Sequence, residues 1–538
     1  MLSTMQDVPL AIRRLLEHGT SVHGDTPVVT ATDEGLRHGT YAQVGVRVAR
    51  LAHALRALGI GPGDRVATFM WNNQEHVEAY FAAPAMGAVV HPLNIRLAVE
   101  QIAFIANHAE DAVVIVDASL VPLFATVVPL LTTVRHIIVS RRADLDAGRI
   151  PVHDYQQLLA GQPDTFPWPD TDERQAAAMC YTSGTTGDPK GVVYSHRSIY
   201  LHALGVSLPD AFDLSCRDRV LAVVPQFHVL SWGLPYAAFL TGASLALPDR
   251  HLGAEPLAQF IAAARPTKAA GVPTIWQALL RHLDSTPGAD VSSLTEAVVG
   301  GSACPPALME AYRQRYGITL LHAWGMTEMS PLGTVARPPR DADPAAAVRY
   351  RQTQGRFPAP VQARLVGPDG HLVPHDGQST GELEVRGPWI TGRYHRDDEP
   401  GKFHDGWLRT GDVGTISPDG YLTLTDRAKD VIKSGGEWIS SVELENHLMA
   451  HPAVREAAVI GVPDERWGER PLATVVVEDG AVSLAELHDF LATRIPRWQV
   501  PERWTLLPEV PKTSVGKFDK RTLRHRHAEG GLDVHELR

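Results

Sequence analysis

The sequence predicts an α/β protein: a large N-terminal α/β domain of several subdomains that includes a β-rich module, and a small, mobile α+β domain at the C-terminus. Three observations predict it. From about residue 40 to 335, short apolar runs alternate with helical periodicity, the pattern of a sheet covered by helices. Between 361 and 425 the texture turns to hairpins, and after 426–430 strands and helices alternate again. At 538 residues the chain exceeds one ordinary domain, and we place the division between 1–426 and 427–538.

Taken in order, "TYAQVGVRVARLAHALRALGI" (40–60) puts Val44, Val48, Leu51, Leu55 and Leu58 on one helical face. "RVATFM" and "DAVVIVD" read as buried strands, because they are apolar runs without alternation. Asp369-Gly370, Asp376-Gly377, Asp405-Gly406 and Asp419-Gly420 are turn signals between strand-like runs such as "GELEVRG" and "YLTLTD". "DRAKD" (426–430) is charged and lacks glycine, so it reads as a hinge and not a floppy tether. Beyond it, Ser440 with Glu443 and Ser483 with Glu486 have capping-box spacing, and "EAAVIGV" and "LATVVVED" are strand-like. The chain has no internal repeat and no low-complexity tract.

Bulk properties narrow the function. With 44% hydrophobic and 21% charged residues, the chain can bury large cores. A net charge of −11 argues against a nucleic-acid binder, which needs a basic face. No apolar run approaches the roughly 18 residues of a membrane span, and no signal peptide or C-terminal address is visible. Cys180, Cys216 and Cys304 are odd in number and far apart, which predicts reduced thiols and a cytoplasmic location.

The stretch "YTSGTTGDPKGVVYSH" (181–196) concentrates glycine, hydroxyls and one lysine. It is not a Walker A loop: Lys190 follows Pro189, and "VVY" reads as a strand where that motif requires a helix. Glycine lets backbone N–H groups approach phosphate oxygens, while the hydroxyls of Thr182, Ser183, Thr185 and Thr186 add donors and Lys190 adds a charge. A second glycine turn, "VVGGSACP" (298–305), superficially resembles a nucleophile elbow, but Cys304 stands where the last glycine belongs, so Ser302 is not a nucleophile. "VVPQFHVLSWGLPYAAF" (223–239) is aromatic and apolar and meets no acid until Asp249. A pocket built from it rejects an ammonium group, whose unpaired burial is costly.

These segments, with "AWGMTEMS" (323–330), "WLRTGD" (407–412), "DRAKDVIKSGGEWIS" (426–440) and "PKTSVGK" (511–517), occur in an order that resembles the adenylate-forming superfamily. The resemblance spans nearly the whole chain and is nearest to bacterial medium- and long-chain fatty acid–CoA ligases. It implies that a carboxylic acid and ATP give acyl-AMP and pyrophosphate, after which coenzyme A takes the acyl group. Thr182, Ser183, Gly184, Thr185, Thr186, Gly187 and Lys190 would grip the ATP phosphates. Gly301, Ser302, His322, Ala323 and Trp324 would lie around the adenine, and Thr327 would donate to the α-phosphate. Glu328 with Thr182 would hold Mg²⁺, Asp412 would bind the ribose, and Arg427, Lys433 and Trp438 would complete the nucleotide site.

The family usually has tyrosine at position 324, so any hydrogen bond made by that phenol is lost here. Lys517, brought in by domain closure, would stabilise the charge that builds on acid and phosphate. The basic neighbours Lys520, Arg521, Arg524 and Arg526 read as a solvated helix face. Lys429 would be the hinge. Gly435 and Gly436 would line the passage for CoA, and His228, Val229 and Trp232 the acyl pocket, with the indole as a gate. Related ligases often dimerise, so a homodimer fits the resemblance. A carrier protein as acceptor, or another small carboxylic acid as substrate, stays open at this level. A catalytically silent nucleotide binder does not fit the joint presence of Glu328, Asp412 and Lys517.

Overall fold

The computed structural model describes every residue except 2, 142, 183–187, 398, 428, 436, 479–481, 515 and 538, and Trp438 by its backbone alone. Among the described residues, strands gather into sheets of seven, fifteen and six. The seven-stranded sheet is parallel through Val152–Asp154, His136–Ser140, Asp111–Asp117, Arg65–Phe69, Val89–Pro92 and Ala176–Tyr181. Asp111–Asp117 is buried along its whole length, which explains its continuous apolar run. The sheet ends in an antiparallel pair, Ala176–Tyr181 with Gly191–Ser195. The glycine/hydroxyl segment therefore connects two strands, and the helix His196–Ser207 starts only afterwards, capped by Ser195.

Helix Tyr41–Ala57 covers this part of the molecule. Its capping box joins Thr40 and Gln43, and Val44, Val48, Leu51 and Leu55 are all buried. Leu58, expected on the same face, is instead the half-buried C-cap residue.

The fifteen-stranded sheet has a parallel half and an antiparallel half. Pro27–Thr32, Ser244–Leu247, Arg219–Ala222, Lys268–Gly271, Glu296–Val299 and Thr319–Gly325 run parallel. Thr319–Gly325 then changes partner part-way along. Its first residues pair in parallel with Glu296–Val299, while Ala323–Gly325 pair antiparallel with Leu332–Val335. From there the hairpin strands Tyr421–Arg427, Trp407–Ile416, Gly381–Arg386 and Gln362–Val366 extend the same sheet. The β-rich module is thus continuous with the parallel sheet, and the site motif 322–328 straddles the junction. Gly370, Gly377, Gly406 and Gly420 turn its corners with φ of 81, 78, 78 and 87°.

The six-stranded sheet belongs to the smaller C-terminal domain, with the helices Ser441–Met449, Leu484–Ala492 and Lys520–Ala528. Ser483 and Glu486 form a reciprocal capping box. Ser440 forms only half of one. It accepts from Glu443 N, and its hydroxyl donates to Thr425 O at 2.6 Å, tying its helix to the strand Tyr421–Arg427. The basic helix also departs from expectation. Lys520 Nζ sits 2.7 Å from Glu445 and donates to Ser441 Oγ at 2.6 Å, and Arg524 pairs with Asp430 at 2.7 Å. These two cations brace the domain internally; Arg526 is exposed. No described helix is long and apolar enough to cross a membrane.

Candidate active site

A cavity of about 500 Å³ lies between the strand ends of the large domain and the C-terminal domain. Thr182, Lys190, His228, Val229, Trp232, Gly301, Ser302, His322, Ala323, Trp324, Thr327, Glu328, Asp412, Arg427, Lys429 and Lys517 all line it. Segments up to 335 residues apart in sequence thus meet in one place. Ser183, Gly184, Thr185, Thr186, Gly187 and Gly436, and the side chain of Trp438, lie outside the described residues. Lys433 and Gly435 sit off the cavity, in the strand Ile432–Ser434 and the turn after it. Gly435 has φ 62°, and a Cβ there would fall 2.7 Å from the Trp467 ring, so the indole covers this glycine. Gly435 N also donates to Trp467 O at 2.8 Å.

The base of the phosphate-type loop is closed by two hydrogen bonds. Thr182 N donates to Lys190 O at 2.9 Å, and Lys190 N donates to Thr182 Oγ1 at 3.1 Å. The Lys190 ammonium pairs with Glu399, lies 3.5 Å from Asp397, and sits 5.2 Å from the Tyr394 ring centroid. Burial disfavours its charge, but the two carboxylates hold its pKa above the ordinary lysine value. Tyr394 in turn donates to Glu328 Oε1 at 2.6 Å. Glu328 and Thr327 are buried, and Tyr194 donates to Thr327 O at 2.7 Å. Tyr394 falls in none of the motifs, and Tyr194, though inside the 181–196 stretch, reads there only as part of a strand. Sequence offered no signal for either contact, since the partners lie 66 and 133 positions away.

Elsewhere on the cavity wall, Asp412 and Arg427 are direct neighbours across two antiparallel strands, with Arg427 Nε 3.4 Å from Oδ1. Asp412 Oδ2 accepts from the indole N–H of Trp324 at 2.8 Å. The tryptophan therefore makes a polar contact of its own where a phenol would have made another. His322 is neutral, with burial lowering its pKa to about 4.

Lys517 lies across the second glycine turn. Gly301 has φ 87°, which calls for glycine, and a Cβ there would sit 3.4 Å from Lys517 Cε, so the lysine's stem lies against this turn. Burial, helped by the Arg427 charge and opposed by Asp412 and Glu328, lowers the Lys517 pKa to about 8. His228 nearby is neutral, pushed down to about 3 by burial and by the Lys517 charge.

One side of the cavity is apolar: Val206, Phe212, Val229, Trp232 and Leu332 line it with His202. Burial lowers the His202 pKa to about 3, and its Nε2 accepts from Leu332 N at 3.1 Å. Sequence reasoning missed this histidine. Val229, Leu230, Ser231 and Trp232 take φ of 45, 56, 53 and 55°, a left-handed turn of four non-glycine residues. Each costs roughly 1–2 kcal/mol over the right-handed form. All four are buried, and that packing holds the turn. Trp232 closes over Gly300, where a Cβ would lie 3.2 Å from its Cη2.

Glycine turns, a buried carboxylate beside a phosphate-type loop, an aromatic–aspartate pair and a lysine of lowered pKa together suit adenylate chemistry. Residues 16–395 match the family model described as "AMP-binding enzyme", and residues 443–517 match its C-terminal domain. The chain belongs to the AMP-binding enzyme family. It is 45% identical over 533 residues to 3-methylmercaptopropionyl-CoA ligase of Ruegeria pomeroyi, covering 98% of this chain and 99% of that one. It is 41% identical over 536 residues to a medium-chain-fatty-acid–CoA ligase of Ectopseudomonas oleovorans, covering 98% of each. Among solved structures, an anthranilate CoA ligase in complex with anthranoyl-AMP superposes with a TM-score of 0.87 at 27% identity, covering 98% of this chain and all of that one. The chain is thus an AMP-forming acyl-CoA ligase.

Proposed function

We propose that this AMP-binding enzyme activates a medium- or long-chain fatty acid to its acyl-AMP and then transfers the acyl group to coenzyme A. One observation carries the substrate class: the acyl wall is apolar, its two histidines are neutral, and none of its residues supplies a counter-charge for a second ionic group. A charged substituent would be desolvated there without a partner, whereas each buried methylene contributes about 0.8 kcal/mol. A second reading is 3-methylmercaptopropionate, the acid in the name of the Ruegeria relative. Its thioether is apolar and polarisable, so the same wall suits it.

In the first half-reaction the carboxylate attacks the α-phosphate and pyrophosphate leaves. Lys517 faces the developing negative charge, Thr327 donates to the α-phosphate, and Asp412 accepts from the ribose hydroxyls. Gly301, Ser302, His322, Ala323 and Trp324 surround the adenine, and the Thr182–Lys190 loop binds the outgoing phosphates. Among the described residues, no cluster of three or more His, Cys, Asp or Glu could hold a metal alone. Glu328 offers one buried carboxylate anchored by Tyr394. That suits Mg²⁺, which takes one or two carboxylates and completes its shell with phosphate oxygens and water. Glu328 and Thr182 would hold the ion, which when bound neutralises phosphate charge.

For the second half-reaction, residues 427–538 turn about Lys429 and bring the 433–438 hairpin to the site. The CoA thiol then attacks the acyl carbonyl and AMP leaves. We place the enzyme in the cytoplasm, in keeping with its three free cysteines. The test is AMP release, with and without CoA, across straight-chain acids from propionate to palmitate and 3-methylmercaptopropionate. A kcat/KM that rises with chain length supports the fatty-acid reading. A maximum at the thioether acid, well above its straight-chain isostere pentanoate, replaces it with the second reading.

A further inference from the structure

Lys517 serves a cavity built largely by the other domain, so the loop that carries it has to be seated there. That loop is closed on itself: Thr513 N donates to Lys517 O at 2.7 Å, and Lys517 N donates to Thr513 Oγ1 at 3.2 Å. Three side chains of the large domain grip it. Asn94 Nδ2 donates to Ser514 Oγ at 2.9 Å, Arg96 Nη1 donates to Ser514 O at 3.4 Å, and Thr274 Oγ1 donates to Gly516 O at 3.2 Å. The Asn94 amide has one sensible orientation, because its Oδ1 accepts from Arg96 N at 3.0 Å and so leaves Nδ2 for Ser514. The Arg96 guanidinium also lies 5.8 Å from the ring centroid of Phe227, the residue before His228.

We propose that Asn94, Arg96 and Thr274 form a latch that holds the small domain where acyl-AMP is made, and that they are positioning residues for Lys517. They touch the lysine's loop and not the lysine's ammonium, and they belong to none of the sequence motifs. The latch rests on the reading of Lys517 given above. A small domain that swings away for thioester formation must break all three bonds, so the latch acts on one half-reaction only.

The test uses the full-length enzyme and two assays: pyrophosphate release from ATP and acid without CoA, and thioester formation from supplied acyl-AMP and CoA. Asn94→Ala with Arg96→Ala should slow the first on the order of 5- to 30-fold, the effect of two lost hydrogen bonds on a closing equilibrium. The second assay should be unchanged or faster, which also shows that the variant is folded. Arg96→Lys, which keeps a cationic donor, should recover part of the loss. Ser514→Ala removes the acceptor from the opposite side, so its effect and that of Asn94→Ala should not add. Equal losses in both assays, or fully additive effects of Asn94→Ala and Ser514→Ala, overturn the latch. Lys517→Ala run in parallel tests the underlying reading separately. If it impairs both assays equally, the role of Lys517 fails, whatever the Asn94–Ser514 coupling shows.

Discussion

The indole nitrogen of Trp324 donates to Asp412 Oδ2 at 2.8 Å, joining the strand Thr319–Gly325 to the strand Trp407–Ile416 inside the cavity. The bond turns the carboxylate, whose other oxygen faces Arg427 at 3.4 Å. A hydrogen bond to a charged acceptor is worth about 1.5–3 kcal/mol. Trp324→Phe keeps an aromatic face and deletes this donor. Its ATP KM should rise about tenfold or more while the acid KM stays constant, and steady-state kinetics with each substrate varied checks this.

The lowered pKa of Lys517 gives a pH prediction with a definite sign. Its ammonium is charged below about pH 8 and neutral above it. With Lys517 in the role proposed above, acyl-AMP formation should fall as pH rises through about 8, seen in kcat/KM without CoA. Lys517→Arg should lose this alkaline limb, because a guanidinium stays protonated there, even if its absolute rate is lower. A limb that persists in the arginine variant belongs to another group.

Tyr394 fixes Glu328 from behind, and removing such a partner typically weakens a metal site by ~10-fold or more. Tyr394→Phe should raise the Mg²⁺ concentration needed for half-maximal activity by about that factor. The melting temperature should change little by comparison, since the ring remains to pack. An unchanged Mg²⁺ requirement would mean that Glu328 is held well enough without the phenol.

Trp232 closes the apolar side of the cavity over Gly300. Trp232→Ala should change the preference among acids by up to about fourfold per methylene, from about 0.8 kcal/mol each. ATP KM should stay nearly constant. A uniform loss for every acid would reduce Trp232 to core packing.

Much of this arrangement is legible in the sequence because local chemistry decides it. Asp-Gly pairs do make left-handed corners, Ser483 does form a capping box with Glu486, and the apolar run 111–117 is a fully buried strand. The family resemblance carried by the motifs likewise names residues that line one cavity. What sequence hides is set by distant partners. Tyr394 matters because a glutamate 66 residues away reaches it, and Lys520 looks like a surface charge until Glu445 folds against it. Ser440 has the spacing of a capping box, yet Thr425 O accepts its hydroxyl. The continuity of the hairpins with the parallel sheet is hidden for the same reason, since it depends on one strand changing partner at Ala323.

The left-handed turn Val229–Trp232 has a consequence for how substrate range can change. Its backbone is metastable and is kept on course by the burial of its own side chains. Trimming Val229 or Leu230 therefore does more than open a hole; it removes the restraint, and the chain can relax toward a right-handed path that re-aims Trp232. Glycine at either position would tolerate the turn but give up the packing that defines the wall. Single substitutions here would thus act as course changes of the main chain and alter several acids at once, whereas Trp324, Asp412 and Arg427 are carried on the separate strands Thr319–Gly325, Trp407–Ile416 and Tyr421–Arg427. The two halves of the cavity can in this way diverge independently during evolution, one drifting in the acids it accepts while the other keeps its chemistry.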